Sequence, residues 1–176
     1  MKNRRPSDTQ LGTCVCSTPA WGDRYFEKQV DAECGQHALN NVLGGPKYLK
    51  HAFKAAAQHV VAKYGQPEAE HIRPNGWYSH SVLATVLENA TPASWKLLFR
   101  PLEQTDYHRL LTDHQICGAL VNQNNRHWIA LVKHKEQLWH VDSFYSPWPM
   151  SEKDFRECLA AYPSTFAVAR REHPRE

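Results

Sequence analysis

ICGALVNQNNRHWIALVKHKEQLWHVDS, residues 116–143, contains three apolar or alternating runs divided by two short polar links. ICGALVN (116–122), HWIALVK (127–133) and QLWHVDS (137–143) each have the length and composition of a strand. QNNR and HKE between them are short enough for hairpin turns. The stretch therefore predicts three consecutive antiparallel strands. Moving outward, WKLLFR (95–100) reads as another strand and QTDYHRLL (104–111) as a short helix. Downstream, Ser151 and Asp154 form an S-x-x-D helix start leading into FRECLAAY, which Pro163 ends, and TFAVAR (165–170) is a last strand.

Upstream of this region the period changes from two to nearly four. In CGQHALNNVL (34–43), Ala38, Leu39, Val42 and Leu43 share one helical face, and Gly44-Gly45 supplies the stop. A second helix is predicted from about Leu49 to Tyr64, with Phe53, Ala57, Val60, Val61 and Tyr64 in helical register and Gly65 after it. Residues 66–76 carry Pro67, Pro74 and Gly76 and read as a loop. A third helix runs from about Ser79 to Asn89 and buries Val82, Leu83, Val86 and Leu87. Helices first and an antiparallel sheet second is α+β organisation. Residues 1–24 are polar and aperiodic, a flexible or loosely packed leader, and the ordered domain is expected over 25–176.

Bulk properties narrow the function. A chain of 176 residues with 41% apolar and 22% charged residues fits one globular domain with its own core. A formal charge of +3, with no dense basic run interleaved with aromatics, argues against a nucleic-acid partner. No run reaches the roughly 18 apolar residues of a membrane span, and no signal peptide is expected, because MKNRRPSDTQ leads into no apolar stretch. The five cysteines, Cys14, Cys16, Cys34, Cys117 and Cys158, are odd in number and irregular in spacing, unlike a secreted disulfide framework. A reducing setting, cytoplasmic or nuclear, is the expectation. Cys14-x-Cys16 has no second pair, the histidines lack zinc-site spacing, and neither metal nor cofactor is expected.

The chemistry starts from Cys34. A thiol attacks as thiolate, and a helix N-terminus favours the anion through its unpaired N–H groups. Cys34 opens the first helix, whereas Cys117 in an apolar strand and Cys158 within a helix read as structural. His127 opens the strand HWIALVK, at a sheet end where a cleft can form, and Asp142 closes the next strand. A tight turn at His134-Lys135 would set position 127 opposite position 142, although a one-residue change in the turn changes the partner. An Asp beside an imidazole orients it and stabilises its cation. Gln29, five residues before Cys34, can reach the place where an amide donor would meet a developing oxyanion, although a lone Gln in a polar segment is ordinarily just solvated. Gln, Cys, His and Asp then follow one another in papain-like order.

FEKQVDAECGQHALNNVLGG (26–45) resembles the opening of Josephin domains, which carry a close relative of E-K-Q followed by C-x-x-H-x-L-N-N. NGWYSHSVLATVLE (75–88), RHWIALVK and LWHVDS resemble that family's next helix entry and its His and Asp/Asn strands. The resemblance covers residues 25 to about 170. It implies a papain-like fold with N-terminal helices packed on a mostly antiparallel sheet. It implies a deubiquitinase acting at the C-terminal glycine of ubiquitin, with Cys34 as nucleophile, His127 as general base, Asp142 as orienter and Gln29 as oxyanion donor. Ubiquitin or ubiquitinated proteins are the implied partners, and a monomer is expected. His37, Asn40 and Asn41 match family positions and read as helix packing and hydrogen bonding. Trp77, Tyr78 and Trp128 are candidate walls of a narrow cleft for the substrate's glycines. The segment 46–76 is shorter than the helical hairpin of some members, the leader has no family counterpart, and no ubiquitin-interacting helix is expected after the domain. Two other readings remain at this stage: a ubiquitin-binding module without turnover, and a papain-like peptidase or amidase of another substrate.

Overall fold

The structure is a computed structural model that describes residues 21–172. Cys14 and Cys16 lie outside the described residues. Five α-helices and six strands follow in the order α1 (Cys34–Leu43), α2 (Lys50–Tyr64), α3 (His80–Glu88), β1 (Trp95–Leu97), α4 (Tyr107–Thr112), β2 (Ile116–Gln123), β3 (His127–His134), β4 (Gln137–Val141), β5 (Trp148–Met150), α5 (Glu152–Ala161) and β6 (Thr165–Arg170). The strands form one sheet in the order β1-β6-β2-β3-β4-β5, and every pairing is antiparallel. The α+β expectation is met.

Several helix ends have a local cause. α1 ends on Gly44, whose φ of 73° suits a residue without Cβ and whose N–H donates to Asn40 O at 2.9 Å. Ser79 caps α3 by accepting from Val82 N–H. Ser151 and Asp154 close a reciprocal capping box at the start of α5. By contrast, no side chain among the described residues caps the N-terminus of α1. A missing cap costs about 0.5–2 kcal/mol. Fully burying Leu39 and Val42 offsets it, at about 1.5–3 kcal/mol each. Packing thus holds the helix and leaves its first N–H groups unclaimed by a cap.

The sheet is covered on both faces. Trp128, Ala130 and Val132 of β3 face a core shared with Leu39, Phe53, Leu83 and Trp139, under α1, α2 and α3. Ile129 and Leu131 face the opposite core, with Leu138, Phe155 and Leu159, under α4 and α5. The edges are the three-residue strands β1 and β5. β5 escapes the sequence reading because three residues containing Pro149 carry no strand signal, and proline is tolerated on an edge. The expected strand over 95–100 shortens to β1 for the same edge position.

The described end of the leader packs on the domain, and one expectation about the strands is corrected. Trp21 is 1% exposed, stacked edge-on against Trp139 at 5.1 Å, and its carbonyl meets His134 Nε2 at 3.0 Å. Arg24 also donates to Val42 O, so the end of the leader is bound by burial of a large indole and by a cap on α1. The β3–β4 turn is Lys135-Glu136, both left-handed at φ 50° and 59°, instead of His134-Lys135. His134 pairs with Gln137 and Ala130 with Val141, so the register continues with His127 across from position 144, not 142. The two-residue slip preserves the face, because side chains alternate with period two.

Candidate active site

Cys34 is the first residue of α1 and is 2% exposed. The segment leading to it is tied along the same helix. The Glu27 carboxylate accepts from Tyr25 OH and Asn40 Nδ2 and bonds His37 Nδ1. Asn41 Oδ1 accepts from Glu27 N–H at 2.6 Å, and Asn41 Nδ2 donates to Glu27 O at 3.2 Å. Burial opposes the Glu27 charge, yet these donors hold its carboxyl below the usual range. His37, Asn40 and Asn41 are therefore packing and hydrogen-bonding residues.

His127 joins the thiol to the carboxylate. Its Nε2 meets Asp142 Oδ1 at 3.0 Å. The ring also interacts with the Cys34 side chain, and with Nε2 taken by Asp142 the nitrogen left to face the sulfur is Nδ1. Asp142 lies just past the end of β4, diagonal to His127 after the slip, and Phe144 N–H donates to the same Oδ1 at 3.0 Å. Burial of His127 works against its cation, but Asp142 and Cys34 outweigh it and raise its pKa to about 9. Burial of Asp142 is likewise overcome by His127 and the Phe144 N–H, and its pKa falls. Phe144, half exposed, stacks on the imidazole at 5.3 Å and 26°.

These shifts set a pH dependence. His127 can donate to a leaving amine while protonated, so the rate is expected to fall as pH rises through about 9. The pair's contribution to stability has the same sign: a raised pKa helps fully below about 6.5 and is lost through about 9. Asp142→Asn removes the anion that holds the proton. Its alkaline limb is expected about one unit or more lower, read from kcat/KM and from Cys34 alkylation against pH. An unmoved limb would show that Asp142 does not set the imidazole's charge.

A loop holds both halves of the pair. Cys34 Sγ lies 3.6 Å from Gly76 O. Asn75 Nδ2 donates to Arg126 O at 3.1 Å, and Arg73 donates to Asn125 O, both in the hairpin that leads into His127. Gly76 sits against the Ala32–Glu33 backbone with φ 73°. Sequence reading passed over its role, although the Asn75-Gly76 dipeptide was a turn signal. Glu33, the buried carboxylate beside Cys34, is paired with Lys50 at 2.5 Å and accepts from Tyr78 OH at 2.7 Å. Lys50 thereby opposes a negative charge that would work against a thiolate.

The remaining sequence candidates separate. Gln29 is drawn to the end of β4, where its N–H donates to Ser143 O at 2.8 Å and its Oε1 accepts from Ser143 Oγ at 2.8 Å. Trp77, Tyr78 and Trp128 lie in the core instead of on an exposed wall, because β3 turns Trp128 inward and its Nε1 donates to Tyr78 O at 2.7 Å. Tyr78 and Trp128 touch Gly35, so they form the floor under the start of α1. Beside Asp142 the exposed aromatics are Phe144 and Tyr145, which the sequence reading did not single out. Burial raises the thiols of Cys117 and Cys158, the latter to about 11. Among the described residues no cluster of His, Cys, Asp and Glu has the arrangement of a metal site. No described helix is long and apolar enough to cross a membrane.

No curated protein matches the sequence. The Josephin family profile matches residues 29–165, which include Gln29, Cys34, His127 and Asp142. The matched stretch spans most of the chain, and the chain belongs to the Josephin family, a family of deubiquitinase-like cysteine proteases.

Proposed function

We propose that this chain is a thiol hydrolase of ubiquitin conjugates, cleaving the (iso)peptide bond at ubiquitin's C-terminal glycine. The observation that carries the reading is His127 placed between the Cys34 thiol and the Asp142 carboxylate at an uncapped helix start. The Cys34 sulfur attacks the carbonyl carbon, and the electron pair of the C=O bond moves onto oxygen. Gln29 and the Cys34 backbone N–H are the donors for that oxyanion. As the carbonyl reforms, the C–N bond breaks and His127 gives its proton to the departing amine. Water then attacks the thioester with His127 as base, releasing the carboxylate and the thiol.

Burial of the nucleophile supports the choice of substrate. At 2% exposure and 3.6 Å from Gly76 O, the Cys34 sulfur leaves little room for side chains, and a glycine end has none to exclude. Free thiols at Cys34, Cys117 and Cys158 are consistent with a reducing cytoplasmic or nuclear setting.

The test is a ubiquitin probe with a C-terminal electrophile, with the adduct located by peptide mapping. One ubiquitin on Cys34, competed by excess free ubiquitin, is the expected result. Folded protein that reacts with iodoacetamide at Cys34 yet takes no ubiquitin would move the hydrolase to another substrate. A Cys34 inert to both would leave a binding module.

A further inference from the structure

Gln29 is useful to the reaction in one orientation only. Its amide has an accepting edge, Oε1, and a donating edge, Nε2–H2. Turned the wrong way, the carbonyl dipole meets a developing oxyanion and repels it. In a solvated side chain that choice is free, and the cost of fixing it falls in the transition state. Here the choice is already made. Ser143 is 2% exposed, and its Oγ–H donates to Gln29 Oε1 at 2.8 Å. The Gln29 backbone N–H returns a second bond to Ser143 O at 2.8 Å. Two bonds between the same two residues fix the backbone of Gln29 and the turn of its amide together.

The position of Ser143 in the chain adds to this. Asp142 orients His127, Phe144 N–H holds Asp142 Oδ1, and the Phe144 ring stacks on His127. Ser143 lies between them and serves the other half of the site. One run of three residues at the end of β4 thus reaches both the imidazole and the amide. We infer that Ser143 is a positioning residue that locks the Gln29 amide with its donor edge turned to the reacting carbonyl. The catalytic consequence rests on the hydrolase reading above.

The test uses wild type, Ser143→Ala, Gln29→Ala and the double variant, all in the full chain. On a ubiquitin C-terminal fluorogenic amide, Gln29→Ala is expected to lower kcat by about 10²-fold. Ser143→Ala is expected to lower kcat by about tenfold with KM little changed, since an unlocked amide still visits the correct turn. The double variant should be no slower than Gln29→Ala, because Ser143 acts through Gln29. Iodoacetamide alkylation of Cys34 needs the thiolate and no oxyanion, so Ser143→Ala should leave it unchanged, whereas general damage to the site would slow it. Ser143→Thr, which keeps the hydroxyl, should recover most of the rate.

A further tenfold loss on adding Ser143→Ala to Gln29→Ala would overturn the inference. A wild type that folds but does not turn over ubiquitin substrates defeats the hydrolase reading instead. The Gln29 side-chain amide signals in NMR then decide the role of Ser143 alone. They are expected to shift in Ser143→Ala, and unchanged signals would overturn the lock.

Discussion

Replacing either Cys34 or His127 with alanine is expected to end turnover, and the two losses should differ in kind. Cys34→Ala removes the attacking atom, so ubiquitin adduct and thioester both vanish. Cys34 is packed at the start of α1 among apolar neighbours, and alanine there changes little volume, so the fold should persist. His127→Ala leaves the thiol but removes its proton acceptor and the acid for the leaving amine. General acid–base help alone is worth about 10²–10⁴-fold, and the lost ion partner adds to it, so a fall of at least about 10³-fold in kcat is expected. Alkylation of Cys34 at pH 7 should slow in parallel, because the ring that takes the thiol's proton is gone. The double variant should be no worse than Cys34→Ala, as members of one catalytic unit are not additive. Near-normal turnover in His127→Ala would remove His127 from the chemistry despite its contacts with Asp142 and Cys34.

Gly76→Ala is expected to damage stability and activity together, and Gly65→Ala provides its control. Both glycines are left-handed, at φ 73° and 63°. An added Cβ at Gly65 meets nothing within 4 Å, whereas at Gly76 it would stand 1.3 Å from Ala32 O. The backbone conformation alone costs alanine about 1–2 kcal/mol. Displacing the Ala32–Glu33 backbone adds about 1–3 kcal/mol at Gly76 only. With roughly 2–4 °C per kcal/mol for a chain of this size, a Tm loss of about 10 °C is expected for Gly76→Ala and about 4 °C for Gly65→Ala. Ala32 and Glu33 lead directly into Cys34, and Asn75 holds the hairpin before His127. A shift of about 1 Å at that junction is expected to cost about 10²-fold in kcat even where Gly76→Ala remains folded. Equal behaviour of the two variants in thermal melts and turnover would show that the loop yields without disturbing the site.

Much of this site can be read along the chain. Cys34 at a helix start followed from the period of Ala38, Leu39 and Val42 and the Gly44-Gly45 stop. His127 at a strand start followed from the apolar run after QNNR. The near-continuous apolar character of ICGALVN and HWIALVK also signalled that both sheet faces are covered, a layer of α4 and α5 that the helices-on-sheet expectation left out. Asp142 was named through a register that proved two residues off. The His127–Asp142 bond survives because a two-residue slip returns a side chain to the same face.

The sequence alone determined the helices, the central strands and the placing of Cys34 and His127 at element starts, because apolar periodicity and turn residues act over a few neighbouring positions. Tertiary structure alone decided the partners. Ser143 and Gln29 are 114 residues apart, and their bond exists only once β4 is placed beside the segment before α1. Gly76 became essential only when the Ala32 backbone was packed against it, and Trp21 joined the domain only when Trp139 offered it a surface. Trp128, a candidate cleft wall in a string of letters, became the floor under the start of α1 once β3 had two faces to fill. Such contacts depend on strand register and close packing, which no short stretch of sequence contains.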